Sequence, residues 1–304
     1  MAATLRTYLE LVRFSHTVFA LPFAVVAALV AVAWGGDGRL VAAEPATWVR
    51  PAAGILLCMV SARTAAMAFN RLVDRAIDAA NPRTAARHLP RGDVTGAQVL
   101  GLVAVSSAVF VAATLLFLPN WLPLALACPV LAWLLGYSYA KRFTSLAHVW
   151  LGAALGLAPV AAWIALRGET LLRDPADALP AVILGLAVTA WVAGFDILYA
   201  CQDADFDAAH GLFSIPARLG VPRALRRAKW LHAATLGLLA LLPLAVPELG
   251  WIYWGAWALI AGLLVWEHAL VRPHDLTRVN QAFFTANAAI GLVVLAAIAA
   301  DLRW

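Results

Sequence analysis

Long apolar runs, separated by short polar stretches, dominate the chain. From residue 94 to residue 140 no position is charged. At roughly 20 residues per bilayer crossing, that stretch supplies two helices folded back at "PNWLP", 119–123. Comparable runs recur near 15–34, 50–70, 95–118, 121–140, 145–166, 178–200, 228–247, 250–270 and 280–300. The pattern predicts an all-α fold, an integral membrane bundle of nine transmembrane helices whose termini lie on opposite sides. The first run follows Arg6 and Arg13 and lacks a small-residue cleavage site in a polar context, so it reads as a retained helix rather than a signal peptide.

Composition agrees with this reading. The 304 residues are 63% hydrophobic and 13% charged, against about half apolar and a quarter charged in soluble domains. The charges are also unevenly placed. The N-terminus and the loops after helices 2, 4, 6 and 8 hold 16 of the 22 Lys and Arg, the opposite side holds five, and Arg63 lies within the second run. By the positive-inside rule the N-terminus and those loops face the cytoplasm, which predicts a multi-pass protein of the cytoplasmic membrane with the lipid bilayer as its partner. Scattered Arg residues with no soluble module exclude nucleic acid as a partner. Cys58, Cys128 and Cys201 stand singly without CxxC spacing, and the His residues show no metal-ligand spacing.

Two connections are longer than the rest, about 71–93 after helix 2 and 201–229 after helix 6, and each is entered through an acidic cluster. The first cluster is "NRLVDRAID" at 70–78 and the second is "DILYACQDADFD" at 196–207. The parallel is a weak internal repeat, and no Gly/Ser linker divides the chain, so 1–304 reads as one domain. On a helix, residues three, four, seven and eleven apart share a face. Arg63, Asn70, Asp74 and Asp78 therefore align, as do Asp196, Tyr199, Asp203 and Asp207, while Asp205 points away toward solvent.

Carboxylates one turn apart repel, and more so near hydrocarbon, so a cation is required. A DxxxD pair on each of two helices offers oxygen ligands to a hard divalent ion. Mg²⁺ prefers carboxylates shared with substrate phosphates, which implies a magnesium-bound diphosphate at the two Asp-rich cytoplasmic loops. "YSYAKR" at 137–142 brings Lys141 and Arg142, with Tyr137 and Tyr139, to the end of helix 4. Lys141 suits direct contact with a phosphate, whereas Arg142 serves equally well by that contact or by interfacial snorkelling. Arg63, about two turns inside helix 2, is costly against lipid and either pairs with the acids or binds an anionic part of a substrate. Arg13 either anchors helix 1 or meets an acidic acceptor.

These motifs resemble the UbiA family of intramembrane aromatic prenyltransferases, whose pattern is NDxxDxxxD after helix 2 and DxxxD after helix 6. Supporting matches are "NPRTAARHLPRG", "YSYAKRFT" and "FDILYACQDADFD". The resemblance implies that Asn70, Asp74, Asp78, Asp203 and Asp207 hold two Mg²⁺ ions on a polyprenyl diphosphate, with Lys141 and Arg142 near its phosphates. It also implies that Arg63 keeps the family's spacing from Asn70, and that Arg71 stands where most members have Asp. "MAFNRLVDRAIDAANPRTA" is most similar to the subgroup of the futalosine route to menaquinone. The aromatic quinone precursor expected there is a dihydroxynaphthoate, the alternative being 4-hydroxybenzoate for ubiquinone.

The implied reaction ionises the allylic C–O bond as charge builds on the leaving diphosphate, and the carbocation then alkylates an electron-rich ring. Asp196 is the candidate base for rearomatisation, or it orients Tyr199 or Lys141. Three rival classes compete. An ion-coupled transporter would carry its acids near the bilayer midplane rather than at helix ends. A CDP-alcohol phosphotransferase would show DGxxAR where this chain has "DAANPRTAAR". A quinone-binding scaffold has no use for two DxxxD clusters.

Overall fold

The computed structural model describes residues 5–13, 20–34 and 45–302. In chain order the helices are α1 (Leu5–Leu11), α2 (Leu21–Ala33), α3 (Pro45–Val73), α4 (Arg75–Ala80), α5 (His88–Arg91), α6 (Gly96–Thr114), α7 (Leu122–Ala140) and α8 (Ala147–Arg173). There follow α9 (Leu179–Ala200), α10 (Ala204–Ala209), α11 (Ile215–Leu219), α12 (Val221–Ala245), α13 (Trp251–Leu270), α14 (Val279–Gln281) and α15 (Asn287–Asp301). A π-helical turn, Ala282–Ala286, joins the last two.

Among the described residues, seven segments are long and apolar enough to cross a bilayer. They fall on α3, α6, α7, α8, α9, α12 and the α14–α15 segment, and the protein is a multi-pass membrane protein. The remaining two of the nine expected crossings fall on α2, 13 residues long, and on α13, whose apolar run is interrupted by Trp, Glu267 and His268. Residues 15–19 of the first expected crossing lie outside the described part. One of the largest boundary shifts is in α12. It begins at Val221, so the second long connection ends at Gly220 rather than at Lys229, and Arg223, Arg226 and Arg227 are helical.

The chain divides into two compact units, Met1–Thr17 with Ala46–Tyr139 and Val18–Pro45 with Ala140–Trp304. In the first, Leu11 and Val12 pack with Ala68 of α3, Leu89 of α5, Val94, and Val99 and Val103 of α6. Thr95 and Gln98 form a reciprocal capping box that starts α6 after the polar loop. Gly92 ends α5 at φ 85, a left-handed conformation that favours glycine. Arg91 and then His88 hydrogen-bond Asp93 and hold its carboxyl down at about 2, which keeps this loop stapled.

In the second unit α9 is the central helix, 72% buried over its apolar window and packed mainly against α8 and α12. Small residues permit this approach. A Cβ added at Gly156 would lie 2.3 Å from Thr189 Oγ1 and 2.4 Å from the carbonyl oxygen of Gly185. The far ends of α8 and α9 are tied by Asp177, which accepts from Arg167 Nη2 at 2.6 Å and Trp163 Nε1 at 2.9 Å. Deeper in the unit a buried polar network links four helices. Trp191 Nε1 donates to Asn287 Oδ1 at 2.6 Å, and Asn287 Nδ2 donates to Glu267 Oε1 at 2.8 Å. His232 lies 3.0 Å from His268 and 3.3 Å from the Trp191 carbonyl.

Gly156→Ala should force α8 and α9 apart, because a backbone carbonyl cannot swing aside. The expected loss is about 1–3 kcal/mol, read as a lower midpoint of thermal unfolding in detergent. Gly237→Ala, where nothing lies within 4 Å of the added Cβ, should be neutral or slightly stabilising. Equal midpoints for the two variants would contradict this packing.

Candidate functional site: two acidic helix ends

The first acidic set belongs to the first unit. α3 stops at Val73, and Asp74 takes φ −86, ψ 4 before α4 begins. The hydrogen-bond ladder nevertheless continues, with Asp74 N to Asn70 O at 2.9 Å and Asp78 N to Asp74 O at 2.8 Å. The four-residue spacing seen in the sequence therefore survives the change of helix. Asn70 Nδ2 donates to Asp74 Oδ2 at 3.1 Å, which leaves Oδ1 of Asn70 as an oxygen donor for a ligand. Asp74 is 3% exposed and Asp78 4%.

The loop after α4 doubles back on these acids. Asn81 Oδ1 accepts from Arg83 N at 2.9 Å, and Thr84 Oγ1 donates to Asp78 O at 3.0 Å. This "NPRT" turn brings Arg87 round to Asp78, with Nη1 2.7 Å from both carboxylate oxygens. Arg71, 6% exposed, donates from Nε to the Leu11 carbonyl at 3.4 Å. It also lies within electrostatic reach of Asp74, Asp78, Arg13 and Arg87. The residue that departs from the family pattern is thus a buried cation beside the acids.

Arg63 lies two turns before Asn70 on the same helix, α3. Its Nη2 donates to the Arg13 carbonyl at 3.4 Å, and its Nε is buried with no hydrogen-bond partner. Arg13 itself is at φ 47, a left-handed conformation uncommon for a side-chain-bearing residue.

The second set belongs to the second unit. Here the expected α-helical alignment holds for Asp196 and Tyr199 within α9 but is interrupted before Asp203 and Asp207. α9 ends at Ala200 and a 3₁₀ turn, Cys201–Asp203, intervenes before α10. The tighter turn advances the phase by about 120° per residue instead of 100°. Within this segment Asp203 and Asp207 are half-buried and Asp205 is exposed, as its opposite phase requires. Asp207 hydrogen-bonds the Ser214 side chain and lies within electrostatic reach of Asp203, Lys141 and His148. Within the same unit Phe213 N donates to Lys141 O at 2.7 Å, and Lys141 lies within electrostatic reach of Asp207. Arg142 and Tyr199 are half-buried here, as is Tyr137 in the first unit.

Asp196 has a partner that sequence reasoning did not single out. His148, second residue of α8, places Nδ1 2.7 Å from Asp196 Oδ2. The Ile215 amide donates to His148 Nε2 at 3.2 Å. That amide requires a lone pair on Nε2, so the ring proton sits on Nδ1 and points at Asp196. The dyad ties α8, α9 and the start of α11 together. Arg87 was legible only as part of "NPRTAARHLPRG", and His148 carried no signal, since its partner is 48 residues away.

Taken together, these features define a multi-pass, all-α membrane protein that carries buried or half-buried acids, with cations near them, at the ends of two helices. Residues 16–289 match the UbiA prenyltransferase family, and the chain belongs to that family: it is a prenyltransferase. It is 31% identical over 241 residues to the 4-hydroxybenzoate octaprenyltransferase of Xanthomonas euvesicatoria, covering 78% of this chain and 75% of that protein. It is 32% identical over 246 residues to the enzyme of the same name from Klebsiella pneumoniae, 78% of each being covered. The apo structure of a UbiA homolog from Aeropyrum pernix K1 superposes with a TM-score of 0.79 at 35% identity over 94% of this chain and 98% of that one. A UbiA homolog from Archaeoglobus fulgidus, bound to GPP and Mg²⁺, shares the fold with a TM-score of 0.67 at 20% identity, covering 98% of this chain and 100% of that one.

Arg87→Gln should leave Asp78 buried without its counter-charge and cost roughly 2 kcal/mol. The double variant Arg87→Gln/Asp78→Asn should recover part of that loss in thermal unfolding. Strict additivity would show that the pair is not energetically coupled.

Proposed function

We propose that the chain transfers a polyprenyl group from polyprenyl diphosphate to 4-hydroxybenzoate, with Mg²⁺, acting as one catalytic domain at the cytoplasmic face of the membrane. One observation carries the reading: in a chain of this family, each acidic set comes with its own fixed cation, Arg87 or Lys141. A diphosphate needs this combination, because its metal ions require carboxylates while its remaining charge requires direct cationic contacts. The distribution of Lys and Arg supports the cytoplasmic orientation.

The donor chemistry suits magnesium. Among the described residues no three His, Cys, Asp or Glu side chains converge into a metal cage, and Mg²⁺ does not ask for one. It keeps waters and takes one or two carboxylates plus phosphate oxygens. Asp74 with Asn70 Oδ1 would supply ligands from the first set, and Asp203 with Asp207 from the second, with Asp78 steadied by Arg87. Bound Mg²⁺, two ions in this reading, neutralises charge on the leaving diphosphate. Lys141 and Arg142 contact phosphate oxygens. Arg63, with its unsatisfied Nε, binds an anionic group of a substrate, and Arg13 holds Arg63 through its carbonyl. The His148 pairing supports an orienting role for Asp196 over that of base, and Tyr137 and Tyr199 line the substrate side of their helices.

The names of the relatives favour 4-hydroxybenzoate over the dihydroxynaphthoate expected from the wording of the first motif. That wording, "NRLVDRAID" with Arg71, keeps a dihydroxynaphthoate as the second reading.

Purified protein supplied with polyprenyl diphosphate, Mg²⁺ and 4-hydroxybenzoate, 1,4-dihydroxy-2-naphthoate or 1,4-dihydroxy-6-naphthoate should yield prenylated 4-hydroxybenzoate by mass spectrometry. Asp74→Asn and Asp203→Asn should each lower kcat by about 10²–10³-fold, and EDTA should abolish turnover. A product with a naphthoate alone would transfer the assignment to the second reading, and turnover in EDTA would overturn the metal role.

A further inference from the structure

α12 carries, at its start, a second concentration of cations that the acidic sets do not use. Arg223, Arg226, Arg227 and Trp230 follow one another at helical spacings of three, one and three residues, so they form a single stripe. The opposite face of the same turns, Ala224, Leu225 and Ala228, is buried against Ile197, Leu198 and Cys201 of the α9 end. The stripe and Leu219 line a groove of about 540 Å³. Trp230 is 74% exposed and Leu219 38%. Among the described residues the three guanidiniums make no hydrogen bond or ion pair, in contrast to Arg63, Arg71, Arg87 and Arg167.

Three exposed guanidiniums lining one groove give it a positive potential that favours an anion. The groove lies at the basic first turns of α12, next to its apolar span, and an exposed Trp and Leu line it, so it suits an anion with an apolar tail. Indole rings settle at the boundary between headgroups and acyl chains, and Arg clusters beside a membrane helix attract anionic headgroups. We infer that this groove is a binding site for an anionic phospholipid of the bilayer, its phosphate held by Arg223, Arg226 and Arg227 and its glycerol and acyl region lying on Trp230 and Leu219. The site is separate from the catalytic reading above and does not depend on it. Its occupant is fixed by charge complementarity and by the bilayer that surrounds the helix.

Full-length protein in an uncharged detergent, freed of lipid, can be exposed to a photoactivatable phosphatidylglycerol and the labelled peptides mapped by mass spectrometry. Saturable labelling of residues 219–230 is expected. Unlabelled phosphatidylglycerol should compete, phosphatidylcholine should not, and raised salt should weaken the labelling. Each guanidinium is worth about fivefold in affinity near an anionic surface, so Arg223→Gln/Arg226→Gln/Arg227→Gln should reduce labelling by tenfold or more. Should that variant fail to purify, Arg226→Gln alone, with about a fivefold loss, and the competition experiments on the unaltered chain decide the matter.

Four results would overturn the proposal. An equally efficient phosphatidylcholine probe would reduce the groove to an apolar surface. Competition by inorganic phosphate alone would make it a free-anion site. Competition by polyprenyl diphosphate stronger than by phosphatidylglycerol would make it a dock for substrate. Labelling unchanged in the Gln variants would remove the Arg residues from the site.

Discussion

A carboxylate at the margin of a hydrocarbon layer survives only if something nearby donates to it or cancels its charge, and the organisation of this protein follows from that constraint. Asp78 has Arg87, Asp74 has the Asn70 amide, Asp196 has the Nδ1 proton of His148, Asp207 has Ser214 with Lys141 close by, and Asp177 has Arg167. Most of these partners belong to a different helix or loop from the acid they serve. Satisfying the acids therefore also fastens the connections between helices: the "NPRT" turn after α4, the start of α11, and the turn between α8 and α9.

The same constraint governs the interior. Glu267 is fully buried on α13, and its neighbours Asn287, Trp191, His232 and His268 come from α15, α9, α12 and α13. Within hydrocarbon such polar contacts specify which helices are neighbours, because apolar side chains give no preference between lipid and another helix. The glycines at the α8–α9 crossing complete the specification by letting two backbones meet. The result is a central helix, α9, whose deep part is fixed by Trp191 and whose end delivers Asp196 and the 3₁₀ turn that carries Asp203.

That rigidity suits a prenyltransferase. The reacting groups need fixed dipoles around them, and a scaffold held by buried hydrogen bonds supplies them. Arg71 fits this picture. It is a buried cation within electrostatic reach of Asp74 and Asp78 and hydrogen-bonded to the Leu11 carbonyl at the end of α1, so the first acidic set carries compensation of its own.

Hydrophobic periodicity and charge placement by themselves determined the all-α membrane architecture, the approximate spans, the exposure of Asp205 and the two acidic stretches, because those features depend on neighbours within one helix. The ladder from Asn70 through Asp74 to Asp78 held for that reason, even across the end of α3. Only the tertiary structure decided the partners. His148 meets Asp196 across 48 residues, Arg87 reaches Asp78 through a turn, and the 3₁₀ turn after Ala200 shifts a phase that a 3.6-residue repeat assumes to be constant. It likewise decided that Arg63 donates to the Arg13 carbonyl and that, among the described residues, three Arg residues of α12 make no ion pair. Such pairings are distances between elements, set by how helices pack, and no spacing along the chain encodes them.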